Sequence, residues 1–172
     1  GAKALKPTRT EHHASLTDPK DFAVLLRDID RLSNENQPYN KPILQLLALT
    51  FARVGDICAM QWADIDLNAK QWAFKPQKGQ RREDMVESLV VPLAPQAIAV
   101  IEQMQSLTGG HEYVFYNPKR KKGNYQDPQA VNKVLNDPSM NSGGIGSNYE
   151  GRGYKEVHTP LGFKKKKKTI LM

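Results

Sequence analysis

The chain has 172 residues, 39% of them hydrophobic, and a formal net charge of +7. That length suits one domain with a core of its own, and the excess of cations points to a polyanionic partner, nucleic acid before anionic membrane. No apolar run approaches the roughly 18 residues of a membrane span, and the single cysteine, Cys58, excludes an internal disulfide and a multi-cysteine metal site.

Residues 1–15 carry Lys3, Lys6 and Arg9 without apolar periodicity and read as a linker. Thr17-Asp18-Pro19 then offers an N-cap followed by proline at the first helical position, and Phe22, Leu25, Leu26 and Ile29 continue at helical spacing to about Leu32. After a polar loop around Pro38, Pro42 opens an apolar helix from Ile43 to about Ala52, and a further short helix is expected over Ile57 to Trp62. Ile65 and Leu67, then Trp72 and Phe74, alternate with polar neighbours across Asn68-Ala69-Lys70, which predicts a hairpin. A third strand is expected from Ser88 to Leu93, with the apolar run Leu89-Val90-Val91, and the charged stretch from Lys75 to Glu87 joins it to the second.

Ala97, Ile98, Ile101 and Met104 predict a core-facing helix closed by Gly109-Gly110. Tyr113-Val114-Phe115 reads as a short extended piece, Lys119 to Gly123 as a basic loop, and Asp127-Pro128 as the cap of a helix through Val131 and Leu135. Residues 137–153 hold five glycines but no phosphate-binding signature, so they read as a surface loop. The predicted fold is α+β: a mostly helical body carrying a small three-stranded antiparallel sheet.

Arg53 follows directly on the apolar run Leu46 to Thr50. Taking a guanidinium out of water without a partner costs several kcal/mol, roughly, so Arg53 needs an anion, either internal, with Asp56 the candidate, or a ligand. The surrounding pattern resembles the catalytic domain of tyrosine recombinases, the phage and genomic-island integrases. In that family a leucine-rich helix runs into R-P-G-E and then W-x-D-I-D. Here the residues are Arg53-Val54-Gly55-Asp56 followed by Trp62 and Asp64-Ile65-Asp66. The same order of V-P-L (Val91-Pro92-Leu93), helix, Y-V-F, basic loop and helix extends the resemblance from Leu16 to Leu135.

The resemblance implies an enzyme that breaks and rejoins DNA through a 3′-phosphotyrosyl intermediate, without metal or cofactor. It implies Arg53 as the first phosphate clamp, oriented by Asp56. It implies a lysine on the β-hairpin as the acid that protonates the leaving 5′ oxygen, by position Lys78, with Lys75 as the fallback. Lys75, Arg81, Arg82, Lys119, Arg120, Lys121 and Lys122 would grip DNA phosphates.

The family's second box, T-P-H-G-F-R, keeps its register as Thr159-Pro160-Leu161-Gly162-Phe163-Lys164. Leu161 stands in place of the histidine and Lys164 in place of the arginine, and Lys165 to Lys168 continue the run. Leucine cannot move a proton, and lysine lacks the planar fork that grips two phosphate oxygens. The run fits a deliberate inactivation, a degenerate natural copy or a misread stretch of sequence.

The nucleophilic tyrosine of the family follows this box, which makes residues 16–172 a catalytic domain truncated before its nucleophile and the chain an inactive fragment by expectation. Neither Tyr149 nor Tyr154 is expected to serve. The expected partners are double-stranded DNA attachment sites and other integrase protomers, with no membrane, in the cytoplasm and at the nucleoid of a bacterial host. The alternative is a DNA-binding domain on the same scaffold that does not catalyse.

Overall fold

The computed structural model describes residues 15–35, 37–76, 87–141, 153–155, 158–160 and 162–163. Among these residues five helices surround one core and carry a three-stranded antiparallel sheet. The predicted α+β architecture is the one observed.

Helix α1 spans Pro19–Asp30, with the Asp18 side chain accepting from the Lys20 amide at its start and Pro19 in the first turn. Leu25 and Ile29 face the core. Helix α2, Asn40–Thr50, buries seven of its residues and packs against α1 and three later helices: α3 (Val54–Cys58), α4 (Pro95–Thr108) and α5 (Pro128–Leu135). A helix apolar on nearly every side is stable only inside others, so α2 is the axis of the fold. Each of its fully buried leucines contributes about 1.5–3 kcal/mol. It starts earlier than Pro42 because Asn40 is itself buried, held by Gln37 at 3.3 Å and by the Gln126 amide at 3.0 Å.

The short helix after Arg53 lies at Val54–Cys58, not Ile57 to Trp62 as expected, and Trp62–Asp64 forms a separate 3-10 turn. Apolar spacing missed this break because Met60 leaves the helix to accept the Val114 amide at 2.9 Å, and Trp62 N donates to Glu112 O at 3.1 Å. The sheet runs β1 (Ile65–Asp66), β2 (Gln71–Phe74) and β3 (Leu89–Pro92), with Ile65 opposite Trp72 and Trp72 opposite Val91. Leu67 sits in the turn rather than a strand, 41% exposed, because Asp66 Oδ1 accepts the Ala69 amide at 2.9 Å and closes the turn early. Trp72 and Phe74 project to the core side and stack with centroids 3.8 Å apart.

Of the apolar run of β3 only Val91 packs against the core, while Leu89 and Val90 are 48% and 57% exposed on an edge strand. Helix α4 ends where predicted, but Gly109 keeps right-handed helical geometry (φ −59°) instead of the left-handed glycine stop. Helix α5 starts on the predicted cap, Asp127, whose side chain accepts the Gln129 amide at 3.0 Å.

Candidate active site

The segment between α2 and α3 carries Arg53. Helix α2 stops because Phe51 takes a left-handed conformation (φ 56°, ψ 21°), unusual for a bulky side chain and costing roughly 1–2 kcal/mol. The Thr50 hydroxyl bridges the break: it donates to Leu46 O at 2.7 Å and accepts from the Ala52 amide at 3.3 Å. Arg53 then adopts an extended backbone (φ −76°, ψ 145°) at the N-cap of α3, and its carbonyl accepts from Ile57 N at 3.1 Å. Its side chain is half-buried, and Asp56, in the first turn of α3, is 6% exposed. Strain of this kind persists where the surrounding structure holds a side chain in one place.

A cleft of about 330 Å³ opens beside α3. Asp56, Gln61, Asp64 and Trp72 line it together with Lys75 and Ser88, the residues at the two ends of the β2–β3 connection, and Arg53 is not among its lining residues. The expected clamp and orienting residues thus lie on one turn of chain, and Asp56 shares a cleft with Lys75. Lys78, Arg81, Arg82, Leu161 and Lys164 lie outside the described residues.

The basic loop is described in full. Lys119, Lys121 and Lys122 are exposed. Arg120 instead folds back, with its guanidinium 4.4 Å from the centroid of the Tyr125 ring. Gly123 (φ 75°) permits this packing, since a Cβ there would lie 2.4 Å from the Tyr125 ring.

Sequence reasoning missed how the second box is seated. Phe163 is fully buried, in edge contact with His158 (4.5 Å) and Phe22 (6.1 Å). His158 Nδ1 accepts the Leu16 amide at 3.1 Å, and the Ser15 hydroxyl donates to Gly162 O at 3.2 Å. Tyr154 is also fully buried, and its hydroxyl donates to Asp28 Oδ2 at 2.5 Å. Burial pushes its ionisation well up, and the Asp28 hydrogen bond and charge push it further. A hydroxyl so enclosed cannot reach a phosphodiester, in line with the expectation that Tyr154 is no nucleophile. The only sequence signal for this seat was the intact T-P-x-G-F frame. Cys58 is buried, and that burial pushes its thiol up, as suits a core residue. Among the described residues no helix is long and apolar enough to cross a membrane.

Comparison with known proteins bears on the family and the fold. The prophage integrase IntA of Escherichia coli K12 is 28% identical over 109 residues, which are 63% of this chain and 24% of that protein. The chain therefore spans about a quarter of the length of this relative. Among solved structures, the XerA recombinase superposes with a TM-score of 0.58 at 16% identity, covering 91% of this chain and 50% of that one. A lambda integrase dimer bound to a COC′ core site superposes with a TM-score of 0.57 at 14% identity, covering 92% and 50%. At such identities these two establish the shared fold. Residues 17–142 match the model of the phage integrase family, and the chain belongs to that family, as a tyrosine-recombinase catalytic domain.

Proposed function

We propose that the chain is part of a site-specific recombinase that breaks and rejoins double-stranded DNA at attachment sites, acting beside other protomers of its kind. The observation that carries this reading is the cleft that Asp56 shares with Lys75, with Arg53 three residues earlier on a strained turn. Two structures of one neighbour, the lambda integrase, support it: a dimer bound to a COC′ core site and a tetramer bound to a Holliday junction.

The chemistry assigned to these residues follows from the reaction. A tyrosine hydroxyl attacks the phosphorus, the bond to the 5′ oxygen breaks, and the 3′ phosphate remains joined to the tyrosine, so bond energy is kept for rejoining. Charge develops on the non-bridging oxygens, where the fork of Arg53 would hold two of them, with Asp56 orienting it. The leaving 5′ oxygen needs a proton, from Lys78 in this reading or from Lys75, which lines the cleft. Leu161 and Lys164 occupy the positions of the family's histidine and second arginine, and neither can do that work in full. The nucleophile belongs after the second box, so no tyrosine before Thr159 is assigned the role. We place residues 1–15 as a linker, 16–172 as catalytic domain, and the whole in a bacterial cytoplasm.

The test compares the chain with its Leu161→His/Lys164→Arg variant in binding a labelled duplex across a salt series. The reading expects both to bind with a steep salt dependence, the variant more tightly because a planar fork replaces a point charge. Absence of salt-dependent duplex binding by both proteins would rule it out.

A further inference from the structure

The assigned chemistry leaves one feature of the surface unused. We propose that residues 111–125 form a binding surface for single-stranded DNA, which stacks unpaired bases on an aromatic platform while neighbouring lysines follow the phosphates.

Two aromatic pairs lie there, one stacked and one tilted. His111 rests on Tyr116 with ring centroids 3.8 Å apart and planes 9° from parallel. Tyr113 lies 5.1 Å from Tyr125, whose ring also carries the Arg120 guanidinium at 4.4 Å. The backbone bridge between Tyr116 and Tyr125 joins the two pairs into one patch. His111 is exposed while Tyr116 covers one of its faces, so its other face is the open one.

The patch is rigid underneath. Asn117 N donates to Asn124 O at 2.9 Å, Gln126 N to Phe115 O at 2.8 Å, and the Gln126 side chain donates to the buried Asn40 of α2 at 3.0 Å. Its charge is one-sided. Residues 117–124 hold Lys119, Arg120, Lys121 and Lys122 and no acid, while Asp127, the next carboxylate along the chain, is engaged as the cap of α5. Glu112 alone opposes them within the segment.

A loop that only gripped duplex phosphates would need the lysines and not the rings. Duplex bases are stacked on one another and offer no π-face, whereas an unpaired base does. Open aromatic faces interleaved with cations are the arrangement that takes single strands with little regard to sequence. The inference does not depend on the assignments at the Arg53 cleft.

The experiment measures fluorescence anisotropy of the full chain with a labelled single strand of roughly ten nucleotides, within the site sizes common for such surfaces. Its comparators are the abasic strand with the same phosphates and a duplex of the same sequence. The inference expects the base-bearing strand to bind at least roughly five-fold tighter than the abasic one, the gain from one stacked base. His111→Ala and Tyr116→Ala should erase that preference and leave duplex binding unchanged, Tyr116→Phe should keep it, and Lys121→Ala should weaken all three ligands. Circular dichroism verifies folding, and the exposed His111 serves if Tyr116→Ala does not fold. Equal binding of abasic and base-bearing strands, or equal losses on strand and duplex in His111→Ala, would overturn the inference.

Discussion

Replacing Tyr154 by phenylalanine removes one oxygen from a buried pair and leaves the ring in place. The lost bond is the 2.5 Å hydrogen bond to Asp28 Oδ2. Asp28 is only 7% exposed, and its other described partner, Arg31, stands 3.6 Å away with a side chain 71% exposed, too well solvated to compensate. A hydrogen bond to a charged group contributes roughly 1.5–3 kcal/mol, so Tyr154→Phe should cost about 2 kcal/mol. For a domain of this size that lowers Tm by roughly 4–8 °C.

A second signature follows from the proton. In the folded chain Tyr154 ionises far above its ordinary value, first through burial and then through Asp28. In the unfolded chain it ionises near pH 10, about the ordinary value. Below that pH both states hold the proton and stability is full. Above it the unfolded state binds fewer protons, so stability falls as pH rises. Urea unfolding followed by circular dichroism from pH 8 to 11 should give a falling midpoint in the wild type and a flatter one in Tyr154→Phe. A variant within about 0.5 kcal/mol of wild type at pH 8, with the same alkaline slope, would refute the reasoning.

Gly153→Ala should destabilise by about 2 kcal/mol in the same assay, because φ is 56° and a Cβ would lie 2.4 Å from Asp137 O and 2.6 Å from Leu135 O, backbone atoms that cannot move aside. Cys58 should resist a thiol-specific reagent in the native chain and react fully in urea; prompt native labelling would show that α3 opens. Thr50→Val should lower stability by roughly 1 kcal/mol, since the hydroxyl bridges both sides of the α2 break. It should also weaken duplex binding by loosening the turn that carries Arg53, and unchanged binding would detach that turn from DNA.

Much of the fold was legible because local signals and burial agree. Asp18-Pro19 and Asp127-Pro128 each start a helix, and Trp72 and Phe74 face the core as their alternation requires. Errors fell where tertiary contacts outweigh periodicity. Met60 and Trp62 pair with residues 112–114 across the chain, which ends α3 early, and no local pattern announces that partner. The third strand itself is where expected, and the exposure of its apolar Leu89 and Val90 follows from its place at the sheet edge. At the candidate site Arg53 stood out because an arginine after a buried run demands an anion. The seat of the second box stayed hidden because its bonds join residues more than a hundred positions apart, as in Tyr154 to Asp28 and Leu16 to His158.

The proposed function rests on Arg53 meeting a DNA phosphate. Duplex binding measured against salt for the wild type and Arg53→Ala tests it most directly, with folding verified for both. Arg53→Ala should bind more weakly, with a salt slope shallower by about one unit, the mark of one lost phosphate contact. A folded Arg53→Ala chain with the affinity and slope of the wild type would contradict it, leaving Arg53 as an internal ion-pair partner.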